Sequence, residues 1–239
     1  MKNTVLTMIL AAALLLTGCA VKSAEPSPSP EPAAASEPTG APTPTNEPTP
    51  TPEPTPAPPD LSELPGTVEK RLYFNRFFSI GCELEPNWTY YTPAQIEELT
   101  DMARRGMDES GAAAFDEALS AGGAVYCMAA ASNKLNLNMA VQKADGTDPY
   151  TVLTEAAGEL TSALEGAGLA GARAETGKMV FAGEERPCLK VSGIANGRTI
   201  YICCTALEAW DYIAVITASA PSGEEAAAIL ACWYPLEAR

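Results

Sequence analysis

Val191-Ser192-Gly193-Ile194-Ala195-Asn196-Gly197-Arg198-Thr199-Ile200-Tyr201-Ile202 decides the fold. Asn-Gly between two apolar-rich runs is the strongest short hairpin signal, because both turn residues tolerate positive φ and the turn's twist matches that of the strands. It predicts an antiparallel pair over residues 186–194 and 198–205. Val191 then lies opposite Ile202 and Leu189 opposite Cys204, on the more apolar face. A third strand follows over residues 210–219, apolar on both sides: Trp210, Tyr212, Ala214 and Ile216 on one, Ile213 and Val215 on the other. Such a strand belongs in the middle of a sheet with both faces covered.

The segment upstream extends the same plan. Phe78, Ile80, Cys82 and Leu84 share one side of an extended stretch, with Ser79, Gly81, Glu83 and Glu85 on the other. Residues 87–91 form a second short extended piece. Thr92-Pro93-Ala94-Gln95 starts a helix by a capping box, and Ile96, Leu99, Met102 and Ala103 give it an apolar stripe. A weaker helix falls within residues 110–120. Residues 125–130 and 135–141 read as a hairpin about Ser132-Asn133, with Ala130 opposite Leu135, Met128 opposite Leu137, and Asn136 and Asn138 on the solvent side of a half-buried strand. Asp148-Pro149 opens the clearest helix, lined by Leu153, Ala156, Ala157, Leu160 and Leu164. Residues 172–181 hold one or two extended pieces. Ser222-Gly223-Glu224-Glu225 caps a final helix through Ala226, Ile229, Leu230 and Trp233. Hairpins with interspersed helices make an α+β fold, a mainly antiparallel β-sheet flanked by helices.

Composition divides the chain into three parts. Lys2, the 12-residue apolar run Val5 to Leu16, and Leu16-Thr17-Gly18-Cys19 form a secretory signal over residues 1–18. The run is too short to span a bilayer, which takes about 20 residues. Residues 19–63 form a tether: 14 of the 21 prolines fall within 26–59, interleaved with Ser, Thr, Ala and Glu and without an aromatic residue, Leu, Ile or Val. Such a segment buries too little apolar surface to offset its ordering entropy and stays unfolded. At about 3.1 Å per residue, polyproline-like extension carries it roughly 100 Å. Residues 64–239 are long enough for a single globular domain with a real core.

Signal, tether and domain carry +1, −6 and −10 charges. An acidic surface of that size argues against nucleic acid as a partner. The chain contains no histidine, which removes Ser-His-Asp and Cys-His catalysis and the commonest zinc ligand. No catalytic residue, metal ligand or cofactor site is assigned, and the domain reads as a non-enzyme.

Leu16-Thr17-Gly18-Cys19 resembles the lipobox of bacterial lipoproteins. That resemblance implies that Cys19 becomes the first mature residue and carries lipid, so that the protein sits on the extracytoplasmic face of the cell membrane. Phe78-Ser79-Ile80-Gly81-Cys82-Glu83-Leu84-Glu85-Pro86-Asn87-Trp88 resembles the opening of PsbP-like domains and is similar to tethered lipoproteins of clostridial gut bacteria. The resemblance implies a PsbP/Mog-type α/β/α sandwich and no particular activity.

Six further cysteines follow: Cys82, Cys127, Cys188, Cys203, Cys204 and Cys232. Three readings stay open: free thiols packed as small hydrophobes, one or more structural disulfides, and redox or soft-metal chemistry. Cys188 and Cys203 form a candidate bridge, although the predicted register makes them diagonal neighbours, unfavourable for a bond unless the strands twist. Trp88, Tyr90, Tyr91 and Trp210 are candidate ligand-contact aromatics. Glu83 and Glu85 share a strand face, either as a solvated pair or as glycosidase-like carboxylates. Three functions fit: a lipid-anchored, surface-exposed interaction module for a protein or cell-envelope partner, a small-ligand or glycan-binding accessory of a transporter or wall machine, and a thiol-based redox protein. Cys19→Ala is expected to abolish incorporation of labelled palmitate; continued labelling of the variant would refute the anchor.

Overall fold

The computed structural model describes residues 60–105, 109, 112–113, 116–117, 124–166 and 168–236. The signal segment, Cys19 and the tether up to residue 59 lie outside the described residues, as does most of the weak helix expected within 110–120. Its described members, Ala112, Ala113, Asp116 and Glu117, are helical. A single 3-10 turn, Leu61–Glu63, precedes Leu64, which is buried.

Two antiparallel sheets form the scaffold. The larger has seven strands in the order β4 (Thr89–Tyr90), β5 (Ala124–Ser132), β6 (Leu135–Lys143), β10 (Tyr212–Ala220), β9 (Arg198–Ala209), β8 (Glu184–Ala195) and β7 (Ala170–Phe181). The smaller has four: β1 (Thr67–Glu69), β2 (Leu72–Asn75), β3 (Ile80–Glu83) and β11 (Trp233–Pro235). Three helices described from end to end accompany them, α1 (Pro93–Arg105), α2 (Pro149–Gly166) and α3 (Gly223–Leu230). The fold is α+β with antiparallel sheets and flanking helices.

Local chemistry explains the main elements. Asn196 and Gly197 take φ of +52° and +73°, and the turn sets Val191 opposite Ile202 and Leu189 opposite Cys204, in the expected register. β10 is central and buried along its whole length. The Thr92 Oγ1 accepts from Gln95 N–H (3.3 Å) while the Gln95 Oε1 accepts from Thr92 N–H (2.9 Å), closing the box that starts α1. Asp148 Oδ1 accepts from Tyr150 and Thr151 N–H at 2.9 and 3.1 Å at the head of α2. Ser222 caps α3 by accepting from Glu225 N–H at 3.2 Å.

The structure corrects four expectations. The extended stretch through Phe78, Ile80, Cys82 and Leu84 is only the second half of a hairpin: Phe78 falls in the turn, and the strand begins at Ile80. The turn is held by Ser79 N–H donating to the Arg76 carbonyl and Phe78 N–H to Asn75 Oδ1, a polar switch hidden in an apolar run. The β5–β6 turn is Asn133-Lys134, with Asn133 at φ +56°, so Ala130 pairs with Leu137 and Met128 with Met139. A bulge at Cys127 shifts the pairing again and sets Tyr126 opposite Ala140. Asn136 and Asn138 are buried, because β6 lies inside the sheet with both faces covered. Trp233 leaves the final helix and lies on β11, where it pairs with Cys82.

Two cores result. One fills the space between the small sheet, α3 and one face of the large sheet; Tyr73, Phe78, Met139, Ile216, Leu230 and Trp233 belong to it. Trp233 meets Tyr73 edge-on at 5.8 Å and Phe181 at 5.6 Å, bringing strands of both sheets together. The N-terminal end is held by Asn75, whose Nδ2 donates to the Leu64 carbonyl (2.9 Å), and by Tyr73, whose hydroxyl donates to the Pro65 carbonyl (3.0 Å). Gly66 (φ +69°) fits beneath that hydroxyl only for want of a Cβ, which would stand 2.6 Å from it.

The second core lies under α2, whose Leu153, Ala156, Leu160 and Leu164 pack on Leu189, Val191, Ile202 and Val215. Leu160 is fully buried there. Leu160→Ala is expected to cost about 3 kcal/mol, read as a lower urea midpoint, whereas exposed Thr154→Ala on the same helix should change stability by less than about 0.5 kcal/mol. Equal effects would refute the packing of this face.

Candidate functional site

Side chains on cross-strand partners share a sheet face. The face under α2 can therefore be followed from strand to strand by register. One row runs Ala129, Asn138, Thr217, Cys204, Leu189, and the next Ala131, Asn136, Ser219, Ile202, Val191. Over β8 and β9 these rows are apolar and α2 covers them. Over β6 and β10 they are polar: Asn136, Asn138, Thr217 and Ser219 are 4%, 2%, 2% and 1% exposed. With strands about 4.8 Å apart and i,i+2 positions about 7 Å apart, the four occupy one small patch of sheet.

The patch has little internal satisfaction. Asn138 Nδ2 reaches Asn136 Oδ1 at 3.4 Å, and the Thr217 hydroxyl donates to Cys204 Sγ at 3.6 Å. The Ser219 hydroxyl is buried and has no hydrogen-bond partner among the described residues, and neither has Gln142 Oε1 further along β6. A buried polar atom without a partner costs free energy, so native folds keep few of them.

The chemistry available is hydrogen bonding without charge. Two carboxamides and two hydroxyls supply donors and acceptors, and none titrates near neutral pH. Burial pushes the neighbouring Cys204 thiol up to about 12, so it stays protonated and is a poor nucleophile. The patch is suited to neutral polar groups, hydroxyl or amide, and not to proton transfer.

The aromatic residues singled out in the sequence do not form one platform. Tyr90 pairs with Ala130 on the face of the first core, and its hydroxyl donates to the Arg71 carbonyl at 3.2 Å. Trp88 is half-buried against the same core. Tyr91, whose N–H donates to the Ala129 carbonyl, follows on the opposite face, at the end of the Asn138 row. Burial raises its phenol. Trp210, 50% exposed at φ +57°, sits in the β9–β10 turn beside the other end of β6, whose last pairing is Lys143 with Tyr212. Seven strand residues, about 24 Å, separate that end from Asn136.

Cys188 pairs with Thr205 and Cys203 with Lys190, so the two cysteines are diagonal; both are free thiols. Burial raises both, Cys203 to about 11. Glu83 and Glu85 are exposed, and Glu83 forms an ion pair with Arg71 at 3.0 Å. The polar patch escaped sequence reading because alternation of Leu and Asn in β6 is also the signature of a strand with a wet side. The signal was in β10: Thr217 and Ser219 occupy alternate positions of a strand that the pattern places at the sheet centre.

No protein-family model matches the chain, and no curated protein does. Among solved structures, the chain is similar to LpqN of Mycobacterium tuberculosis, described as involved in cell envelope biogenesis, with 14% identity and a TM-score of 0.37 over 66% of this chain and 83% of that one. Ser219→Ala removes a buried hydroxyl that has no partner. It is expected to raise stability by about 1 kcal/mol, measured by urea unfolding; a loss of that size would show that the hydroxyl is satisfied.

Proposed function

We propose that this chain is a lipid-anchored, extracytoplasmic, non-enzymatic binding module. Cys19 holds it to the membrane, residues 19–63 give it reach, and the domain beyond binds a small neutral polar ligand over Asn136, Asn138, Thr217 and Ser219. The observation that carries the ligand assignment is the Ser219 hydroxyl, buried and unpaired among uncharged hydrogen-bonding groups. A ligand hydroxyl or amide satisfies such groups at little desolvation cost, because they are already out of water. The lipobox and the proline-rich tether support the address. The absence of histidine from the sequence and the raised Cys204 thiol beside the patch support binding over catalysis.

A second reading, a macromolecular partner, is favoured by β7. This strand of 12 residues lies at an edge of the large sheet, with Val180 69% exposed. An open edge accepts an extended segment from another chain.

Thermal melting of residues 20–239 against sugars, peptidoglycan fragments and neutral amino acids separates the two. A ligand at about 100 times its Kd stabilises by about 2.7 kcal/mol, a rise of about 5–10 °C for a domain of this size. Asn138→Ala is expected to lose that rise. Absence of a shift across the whole panel would overturn the small-ligand assignment and leave the edge-strand reading.

A further inference from the structure

We propose that Cys82 and Cys232 form a disulfide bond that ties β3 to the turn between α3 and β11. Cys82 is fully buried on β3, and Cys232 is half-buried just beyond the end of α3. Trp233, the next residue, is the direct partner of Cys82 in the β3–β11 ladder. The ladder thus makes neighbours of two cysteines 150 positions apart in sequence. Their sulfur atoms are 3.0 Å apart, about 1 Å longer than a disulfide bond.

No second pair of sulfur atoms is in hydrogen-bond contact among the described residues. Cys127 donates to the Leu64 carbonyl at 3.2 Å, Cys204 accepts from Thr217, and Cys188 and Cys203 stay diagonal. These four fill space, whereas Cys82 and Cys232 face one another.

The pair is also arranged to react in order. Cys232 Sγ lies 2.8 Å from the Ile229 carbonyl, to which it donates, and it accepts the S–H of Cys82. That accepted hydrogen bond lowers the Cys232 thiol and raises Cys82. Cys232 is moreover the more accessible of the two.

The oxidant is a small-molecule disulfide, R–S–S–R. Cys232 gives its proton to solvent and attacks one oxidant sulfur. The oxidant's S–S bond breaks, a mixed disulfide forms on Cys232, and RS⁻ leaves and is protonated. Cys82 then loses its proton and attacks the Cys232 sulfur, expelling the second RS⁻, which is protonated in turn. Two electrons pass from the cysteine pair to the oxidant, two RSH are released, and one S–S bond joins residues 82 and 232. An exported protein meets such oxidants, and a bond that closes so long a loop removes much of the unfolded chain's freedom.

The test uses the full-length chain, purified reduced in detergent and equilibrated with oxidised glutathione. Free thiols are then blocked with N-ethylmaleimide in mildly acidic urea, where thiol–disulfide exchange is slow, and the chain is cleaved after glutamate. Cleavage isolates Cys82 in peptide 70–83 and Cys232 in peptide 226–237, each with no other cysteine. The expected product is these two peptides joined, lighter by two hydrogens than their sum and separated by dithiothreitol. Recovery of both as separate alkylated peptides, or of either joined to another cysteine, would overturn the proposal. Oxidation should also raise Tm by about 5–15 °C and leave Cys232→Ala unshifted; an equal rise in the variant would overturn it as well.

Discussion

The burial of β10 on both faces is the constraint that organises this domain. Eight of its nine residues pair with β6 on one side and all nine with β9 on the other, so its backbone is satisfied within the sheet. Its side chains are buried on both faces, and each face needs a cover. The small sheet and α3 supply one, closing over Tyr212, Ala214, Ile216 and Ala218. On the other face the strand changes character along its length: Ile213 and Val215 join the core under α2, whereas Thr217 and Ser219 do not. A helix with one leucine stripe covers apolar surface well and offers nothing to a hydroxyl. The polar patch is therefore a consequence of where the apolar part of β10 ends, and the partnerless Ser219 marks the mismatch.

Much of this was legible in the sequence, for reasons that are local. Asn196-Gly197 specifies a turn by backbone preference alone, and a two-residue turn fixes register; Val191 and Ile202 could hardly pair otherwise. The capping box at Thr92 and the cap at Ser222 are equally local, and both formed, although Glu225 answers the Ser222 hydroxyl and not its N–H. What failed was non-local. The Leu72–Leu84 stretch looks like one strand because its turn uses Asn75 and Ser79, without the usual glycine. Trp233 continues a helical apolar pattern, but its place on β11 depends on β3 and on aromatic partners far away in sequence. Without that strand the sequence offers Cys232 no partner, and Cys188 and Cys203, joined by a legible hairpin, are the nearest pair. The two asparagines of β6 failed for the same reason: alternation tells which residues share a face, not whether that face is wet.

The candidate site and the thiols illustrate two uses of burial. Around the patch, desolvation holds groups neutral, since it penalises whichever form is charged. Cys204 and Tyr91 both move up for that reason. A surface made of carboxamides and hydroxyls is then constant across the ordinary pH range, which suits binding and withholds the titrating group that acid–base catalysis requires. At Cys232 the hydrogen bond accepted from Cys82 overrides burial, whereas at Cys82 the same bond and burial act together, which splits the pair into an easier and a harder thiol. The difference follows from geometry: a thiol among alkyl groups is only a small hydrophobe, whereas a thiol against a second thiol has chemistry.

Sheet edges complete the physical picture. Any domain that meets other copies of itself is exposed to edge-to-edge pairing, because every unpaired strand edge is a template for another. Three of the four edges here are short: β1 and β11 have three residues each, and β4 has two. β7 is the exception, and it carries the devices that blunt an edge. Its pairing with β8 is irregular between Ala170 and Arg173, and Arg173, Glu175 and Lys178 place charge along it. Lys178 is further engaged with Glu185 at 2.6 Å. Its last residue, Phe181, turns inward onto Trp233 and so holds that end against the first core. Between the charged stretch and that anchor stand Met179 and Val180, half-buried and exposed respectively. This short uncharged interval is where the edge is least defended, so a partner strand that added to β7 would have to seat there first and meet the charges afterwards. Charge and irregular pairing thus blunt much of this edge, while Met179 and Val180 leave an uncharged stretch at which a complementary segment can begin to pair.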